Sequence, residues 1–282
     1  MKIDRVVVCL NNNPTYTGFW NVVSKVWRVG FDIQPTLAFL GTQEEVDALG
    51  LKDTYGDIVL VPPCEDVIVD PTLEWSVSWA LFWVMSKYSD DVCMSCGIDQ
   101  IPICNELFYR KLDTVPDDNL FIGLGNAYGH NRWYPTSHQV AKGKTFKEIY
   151  NIEDDWFDEV RKVYSKAGVL TNTKNLWGLE EAYAGTIITG LFEPFKYEDR
   201  VVINDYSAWL EWNGRRLTRN LGGSPVPLWT KEGVNNQQYT ELHSPRPYEQ
   251  YQTFIDELVE VILGVQADIF PTGYKNRDLN VK

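Results

Sequence analysis

The first third of the chain alternates short apolar runs with helical patterns, and this alternation restricts the possible folds more than any other feature. RVVVCL (residues 5–10) reads as a buried strand stopped by NNNP, and residues 33–39, 58–61 and 92–96 read as three more. Helical patterns lie between them. Residues 18–27 place Phe19, Val22, Val23, Val26 and Trp27 on one face, and residues 44–49 form a short helix. Residues 72–88, opened by Asp70-Pro71, are apolar nearly all round and so are expected deep in the interior. Strands separated by helices lie parallel in one sheet with helices on both faces, so the expected fold class is α/β with a mostly parallel sheet.

The second half is less regular. Residues 121–124, 139–141 and 201–204 look like strands. Trp156, Phe157, Val160, Val163 and Tyr164 share a helix face, and residues 180–189 form another helix. Residues 215–226, with Gly222 and Gly223, read as loop. Tyr251, Phe254, Ile255, Leu258, Val259 and Ile262 follow the i, i+3, i+4, i+7 spacing of a C-terminal helix. No repeat, charge block or low-complexity linker divides the 282 residues, and one domain over 1–282 is expected.

Charge and cysteine usage exclude several function classes. A net charge of -13, with no cluster of Lys and Arg, argues against a nucleic-acid partner, because neutralising phosphates requires such a cluster. Eleven tryptophans are compatible with a sugar- or nucleotide-binding cleft and equally with a packed core. The N-terminal apolar run is too short for a signal peptide, and the most apolar segment, residues 75–85, is too short to span a bilayer. A soluble, cytoplasmic protein with no membrane span is expected. An odd number of cysteines, 5, points to a reducing compartment. Cys93 and Cys96 have C-x-x-C spacing, but no second pair completes a zinc site, and on a strand residues three apart point to opposite faces. They are read as small buried residues.

In VCMSCGIDQIPICNELF (92–108) the fourth strand runs into one carboxylate, Asp99. Ligands of open α/β sheets bind outside the carboxyl ends of the strands, where a carboxylate can hold a divalent cation on a diphosphate. The alternative is a turn or helix-capping aspartate ahead of a helix near Asn105.

The order of motifs adds a resemblance. An Asn/Tyr/Trp loop follows the first strand, LNNNPTYTGFW. A central helix comes next, then a strand ending in a short acidic motif followed by Ile-Pro, and later the Trp-Gly-acidic helix start of KNLWGLEEAYAG (174–185). This order resembles the nucleotide-sugar glycosyltransferases of the GT-A fold, and within them the small capsid-protein glycosyltransferases encoded by large algal viruses. The resemblance implies a GT-A-like mixed sheet, with a Rossmann-like nucleotide-sugar-binding half over 1–104 and an acceptor-binding half with the C-terminal helix over 105–282. It implies a D-x-D metal motif at Gly97-Ile98-Asp99, where the first acid is missing and Asp99 remains as ligand to Mn²⁺ or Mg²⁺. It places Asn11 and Tyr16 on the nucleotide. It makes Glu180 the acceptor binder and Glu181 the general base of an inverting transfer, in which one carboxylate takes the acceptor hydroxyl proton; read alone, two glutamates in a first turn are also an ordinary helix start. It brings the late His243 of ELHSPRPYEQY back to the metal, with His130 and His138 as competitors in an aromatic loop on the acceptor or sugar side. The helix LEWSVSWALFW lacks the arginine that relatives place near the diphosphate, so that charge falls to the metal, to His243, or to Arg215, Arg216 and Arg219 of NGRRLTRNLGG. The implied partners are a nucleotide-diphosphate sugar and a glycan or glycoprotein acceptor, in the host cytoplasm if the protein is viral. Two other functions share such a sheet. One is a sugar-nucleotide nucleotidyltransferase, although the loop after the first strand has no basic residue. The other is a non-enzymatic carbohydrate-binding protein that kept the fold.

Overall fold

The computed structural model describes residues 1–64, 74–104, 112–125, 133–170, 176, 178–191, 193–204, 216–218 and 229–269. The strands are β1 (Arg5–Leu10), β2 (Gln34–Leu40), β3 (Asp57–Val61), β4 (Val92–Ser95), β5 (Gln100–Pro102), β6 (Leu120–Ile122), β7 (Gln139–Lys142), β8 (Val201–Ile203), β9 (Leu217–Thr218) and β10 (Glu241–His243). The α-helices are α1 (Trp20–Lys25), α2 (Gln43–Ala48), α3 (Glu74–Met85), α4 (Gly143–Ile149), α5 (Trp156–Tyr164), α6 (Ala167–Leu170), α7 (Leu179–Ile188), α8 (Lys231–Asn235) and α9 (Tyr248–Ile269).

The expected α/β sheet is present. Seven strands run in the order β3-β2-β1-β4-β7-β6-β8. The first four are parallel, β7 is antiparallel to both β4 and β6, and β8 is parallel to β6. The sheet is therefore mixed and mostly parallel. Its order reverses between β1 and β4, which creates a crevice beyond their carboxyl ends. A second, three-stranded sheet, β5-β10-β9, joins the strand that follows β4 to two late strands, with β10 antiparallel to β5 and parallel to β9. Residues 217–218, read from sequence as loop, are thus a strand. Two or three residues carry too little alternation to be seen locally, and their pairing comes from distant chain.

Both faces of the main sheet are covered. Val6, Val8 and Leu10 pack with Phe19, Trp20, Val23, Trp27, Leu258 and Ile262 on one side. Val7 points the other way, into a core with Trp75, Trp79, Phe82, Phe146 and Tyr150. This is the period-two alternation of a strand buried on both sides. Cys96 belongs to the first core and Cys93 to the second, so the C-x-x-C thiols diverge as expected. Burial pushes the pKa of both thiols upward, and none of the five cysteines forms a disulfide.

Local signals explain where helices start and what seats them. The short α2 is held by a capping box, in which the Thr42 side chain accepts from the Glu45 N–H and the Glu45 side chain accepts from the Thr42 N–H. Asp155 caps α5 through the Asp158 N–H. Gly18 lets α9 approach, because a Cβ there would lie 2.6 Å from the Tyr248 ring. The apolar α3 is the centre of the second core: Trp79 meets the Phe82, Tyr150 and Tyr183 rings at 5.1, 5.9 and 5.2 Å. Its Nε1–H donates to the buried Glu159 at 2.8 Å. Trp79→Ala should therefore cost about 3–5 kcal/mol in urea unfolding, since it opens a cavity and removes a donor from a buried carboxylate.

Candidate functional site

The crevice between β1 and β4 contains a cavity of about 190 Å³ lined by Cys9, Leu10, Asn11, Asn13, Tyr16, Val77, Ser78, Gly97, Ile98 and Asp99. Three residues singled out by sequence, Asn11, Tyr16 and Asp99, share it. The loop after β1 is shaped by its own asparagines. Asn11 Oδ1 accepts from the Asn13 N–H at 3.2 Å, and Asn13 Oδ1 accepts from the Thr15 N–H at 3.0 Å. These successive side-chain turns fold the chain back so that Tyr16 joins the cavity wall.

Asp99 sits in the turn between β4 and β5 and is 7% exposed. Its Oδ2 lies 3.4 Å from His243 Nε2 and 3.5 Å from Arg246 Nε. His243 closes β10, whose pairing with β5 sets it opposite Gln100. The Ser244 N–H then donates to the Asp99 carbonyl at 2.8 Å. The Arg246 guanidinium also lies over the Tyr16 ring, 4.5 Å from its centroid. Burial lowers the Arg246 pKa from its ordinary value. At the position of the missing first acid, the Gly97 N–H donates to Gln100 Oε1 at 2.7 Å, and a Cβ on Gly97 would lie 3.0 Å from that carboxamide. Gln100 thus fills the space beside Gly97.

Glu180 and Glu181 open α7, whose N-cap is Gly178 at φ 76. A Cβ at Gly178 would come within 2.7 Å of the Trp133 ring, so both the left-handed backbone and the ring call for glycine. Glu180 is 7% exposed, whereas Glu181 is half-buried. Burial, followed by the charges of Glu180 and Asp99, pushes the Cys9 thiol up to about 12. Glu180 is not among the residues that line the cavity, but its charge acts on Cys9, which does line it.

The remaining expected residues fall elsewhere. Arg215, Arg219, His130 and Trp177 lie outside the described residues. Arg216 turns inward, with Nε 2.6 Å from Glu241 Oε1. His138, read as part of an acceptor-side loop, is buried, with Nε2 2.9 Å from Glu241 Oε2. It immediately precedes β7, and its backbone N–H donates to the Ser95 carbonyl at 2.7 Å. Sequence reasoning missed Arg246, Ser78 and Glu241. One signal was present for Glu241: residues two apart in E-L-H share a strand face, so Glu241 accompanies His243.

No family model matches the sequence, and no curated protein matches it. Solved structures similar to the chain include the galactosyltransferase LgtC in complex with donor and acceptor sugar analogs, at 13% identity and a TM-score of 0.48, covering 92% of this chain and 95% of that one. They also include the glycosyltransferase GlyE of Streptococcus pneumoniae, at 11% identity and a TM-score of 0.45, covering 94% and 63%. The bifunctional glycosyltransferase WbbM, in its apo structure, has 11% identity and a TM-score of 0.44, covering 92% and 49%. Among the described residues no helix is long and apolar enough to cross a membrane.

Proposed function

We propose that the protein transfers a sugar from a nucleotide-diphosphate sugar to a hydroxyl of a glycan or glycoprotein acceptor, by an inverting and metal-assisted route. One observation carries this reading. Asn11, Tyr16 and Asp99 line a single cavity at the switch point of the sheet, and His243, from the far end of the chain, reaches the Asp99 carboxylate. In this reading the Asn11 and Asn13 loop and the Tyr16 ring hold the nucleoside, and the diphosphate lies towards Asp99, His243 and Arg246.

The donor set decides what cation would suit the site. Among the described residues no three His, Cys, Asp or Glu side chains gather as a metal cage. Asp99 and His243 supply one carboxylate oxygen and one imidazole nitrogen close together. A hard divalent ion bound through one or two side chains, with the rest of its ligands from phosphate and water, fits such a pair. Asp99 and His243 would hold it, and when bound it would neutralise charge on the leaving diphosphate. The half-buried Arg246 guanidinium would share that charge through bidentate contacts to phosphate oxygens. The sequence leaves this role to the metal, to His243, or to Arg215, Arg216 and Arg219.

The acceptor proton needs a carboxylate within reach of the donor. The charge of Glu180 acts on Cys9 of the cavity wall, and Glu181 is the more open of the two glutamates. We therefore give Glu180 the general-base role and Glu181 the acceptor contact, the reverse of the order the resemblance implies. The residues of α3 and the cavity walls exclude water on the apolar side, through Val77, Leu10 and Ile98. The narrower likeness to capsid-protein glycosyltransferases makes a glycoprotein the first acceptor to try.

The test is release of sugar from a panel of nucleotide sugars, with and without Mn²⁺. At least one donor should be turned over, and faster with Mn²⁺. Cleavage of nucleoside triphosphates with pyrophosphate release, in place of sugar release, would indicate a nucleotidyltransferase. Carbohydrate binding with no turnover would indicate the non-enzymatic alternative. His243→Ala should weaken nucleoside-diphosphate binding in calorimetry, and more so in the presence of Mn²⁺ than in its absence. An equal loss in both conditions would place His243 on the phosphates alone.

A further inference from the structure

Behind the Asp99–His243 pair lies a buried set of charges that does not line the cavity. Glu241 is 2% exposed, and its two oxygens face His138 Nε2 at 2.9 Å and Arg216 Nε at 2.6 Å. Each member belongs to a different strand region. His138 immediately precedes β7, Arg216 precedes β9, and Glu241 opens β10.

His138 has the left-handed backbone, φ 61, which a non-glycine residue adopts at a cost. Two bonds hold it there. Its N–H donates to the Ser95 carbonyl at 2.7 Å, and its carbonyl accepts from the Gly123 N–H at 2.9 Å. The His138 backbone is thus fixed to the end of β4, just before the turn that carries Asp99. Its ring is fixed to Glu241. Glu241 and His243 stand two residues apart on β10 and share a face of that strand. A chain of contacts therefore runs from the end of β4 through His138 and Glu241 to the strand that presents His243.

A buried set of charges is a poor way to gain stability. Apolar side chains of similar volume usually do as well or better, and breaking one member of such a set is costly. Its position, linking β4, which leads into the Asp99 turn, to the strand that ends at His243, gives it another use. We propose that His138, Glu241 and Arg216 are positioning residues that fix the His243 imidazole against the Asp99 carboxylate, so that the pair meets a donor diphosphate and its divalent cation already aligned. This rests on the donor-site reading given above. None of the three touches the donor; they act through β10.

The test is calorimetry of uridine, guanosine and adenosine diphosphates with the whole chain, each with and without Mn²⁺, on wild type, Glu241→Gln and His138→Asn. Asparagine tolerates the left-handed backbone and is too short to reach Glu241, so His138→Asn removes the contact with the least disturbance. The expected result is that both variants lose about 10- to 100-fold of the affinity gained on adding Mn²⁺. The affinity without Mn²⁺ should fall by no more than it does in His243→Ala, and by less than the loss seen with Mn²⁺. The double variant should lose no more than the worse single variant, because the two residues act in one chain of contacts. Variants that melt at lower temperature but keep the full Mn²⁺ gain would overturn the proposal and leave the set as a structural one. If Glu241→Gln does not fold, His138→Asn decides alone by the same criterion. A wild type that binds no diphosphate more tightly with Mn²⁺ would instead overturn the metal-site reading itself, and the positioning role with it.

Discussion

Glu180→Gln should lower sugar transfer by about 10²- to 10⁴-fold while donor affinity stays near wild type. The amide is nearly isosteric with the carboxylate, so the packing of a side chain that is 7% exposed should survive. It cannot accept the acceptor's proton at neutral pH. The neighbouring Glu181→Gln should act differently, raising the acceptor KM with a smaller effect on turnover. Adjacent residues on a helix point about 100° apart, so only one of the two carboxylates can face the donor squarely. If Glu181→Gln shows the large turnover loss and Glu180→Gln does not, the roles are those implied by the family resemblance. If neither changes turnover, the two glutamates only start a helix.

Asp99→Ala should abolish the Mn²⁺-dependent part of nucleoside-diphosphate binding and leave the fold intact. Its carboxylate is the only acid within the triplet 97–99, and it is the group that His243 and Arg246 approach. The fold should tolerate the change because the Asp99 backbone carbonyl, not its side chain, accepts the Ser244 N–H that ties the turn to β10. Removing the carboxylate leaves Arg246 without that competitor for its guanidinium, so binding without Mn²⁺ should persist. Calorimetry with and without Mn²⁺ separates the two contributions. An Asp99→Ala protein with unchanged affinity and unchanged metal dependence would reduce Asp99 to a turn residue.

Elements with many residues in one local period were legible from sequence. β1 could be read from its apolar run and α9 from six apolar residues at helical spacing, because burial repeats within each segment. The second sheet could not. β5, β9 and β10 have two or three residues each, and His243 finds its place opposite Gln100 through pairing across about half of the chain. The candidate site drew on strand-end geometry and motif order together, and the structure brings Asp99 and His243 within 3.4 Å. Asp99 follows a clear strand, and the late His243 was matched to it by the resemblance. Arg246 gave no signal, because a proline-rich loop does not announce which way its arginine turns. His138 was misplaced for a related reason. An imidazole in an aromatic, polar segment reads as exposed until Glu241, from a distant strand, is seen to bury beside it.

A crystal structure of the protein with a nucleoside diphosphate and Mn²⁺ tests the donor site most directly. The nucleoside should lie in the β1–β4 crevice against Tyr16 and the Asn11 loop. The diphosphate should point to Arg246, with a cation between it and the Asp99 and His243 side chains. A nucleotide bound elsewhere, or a crevice that stays empty at saturating nucleotide while Asp99 keeps its contacts to His243 and Arg246, would contradict it.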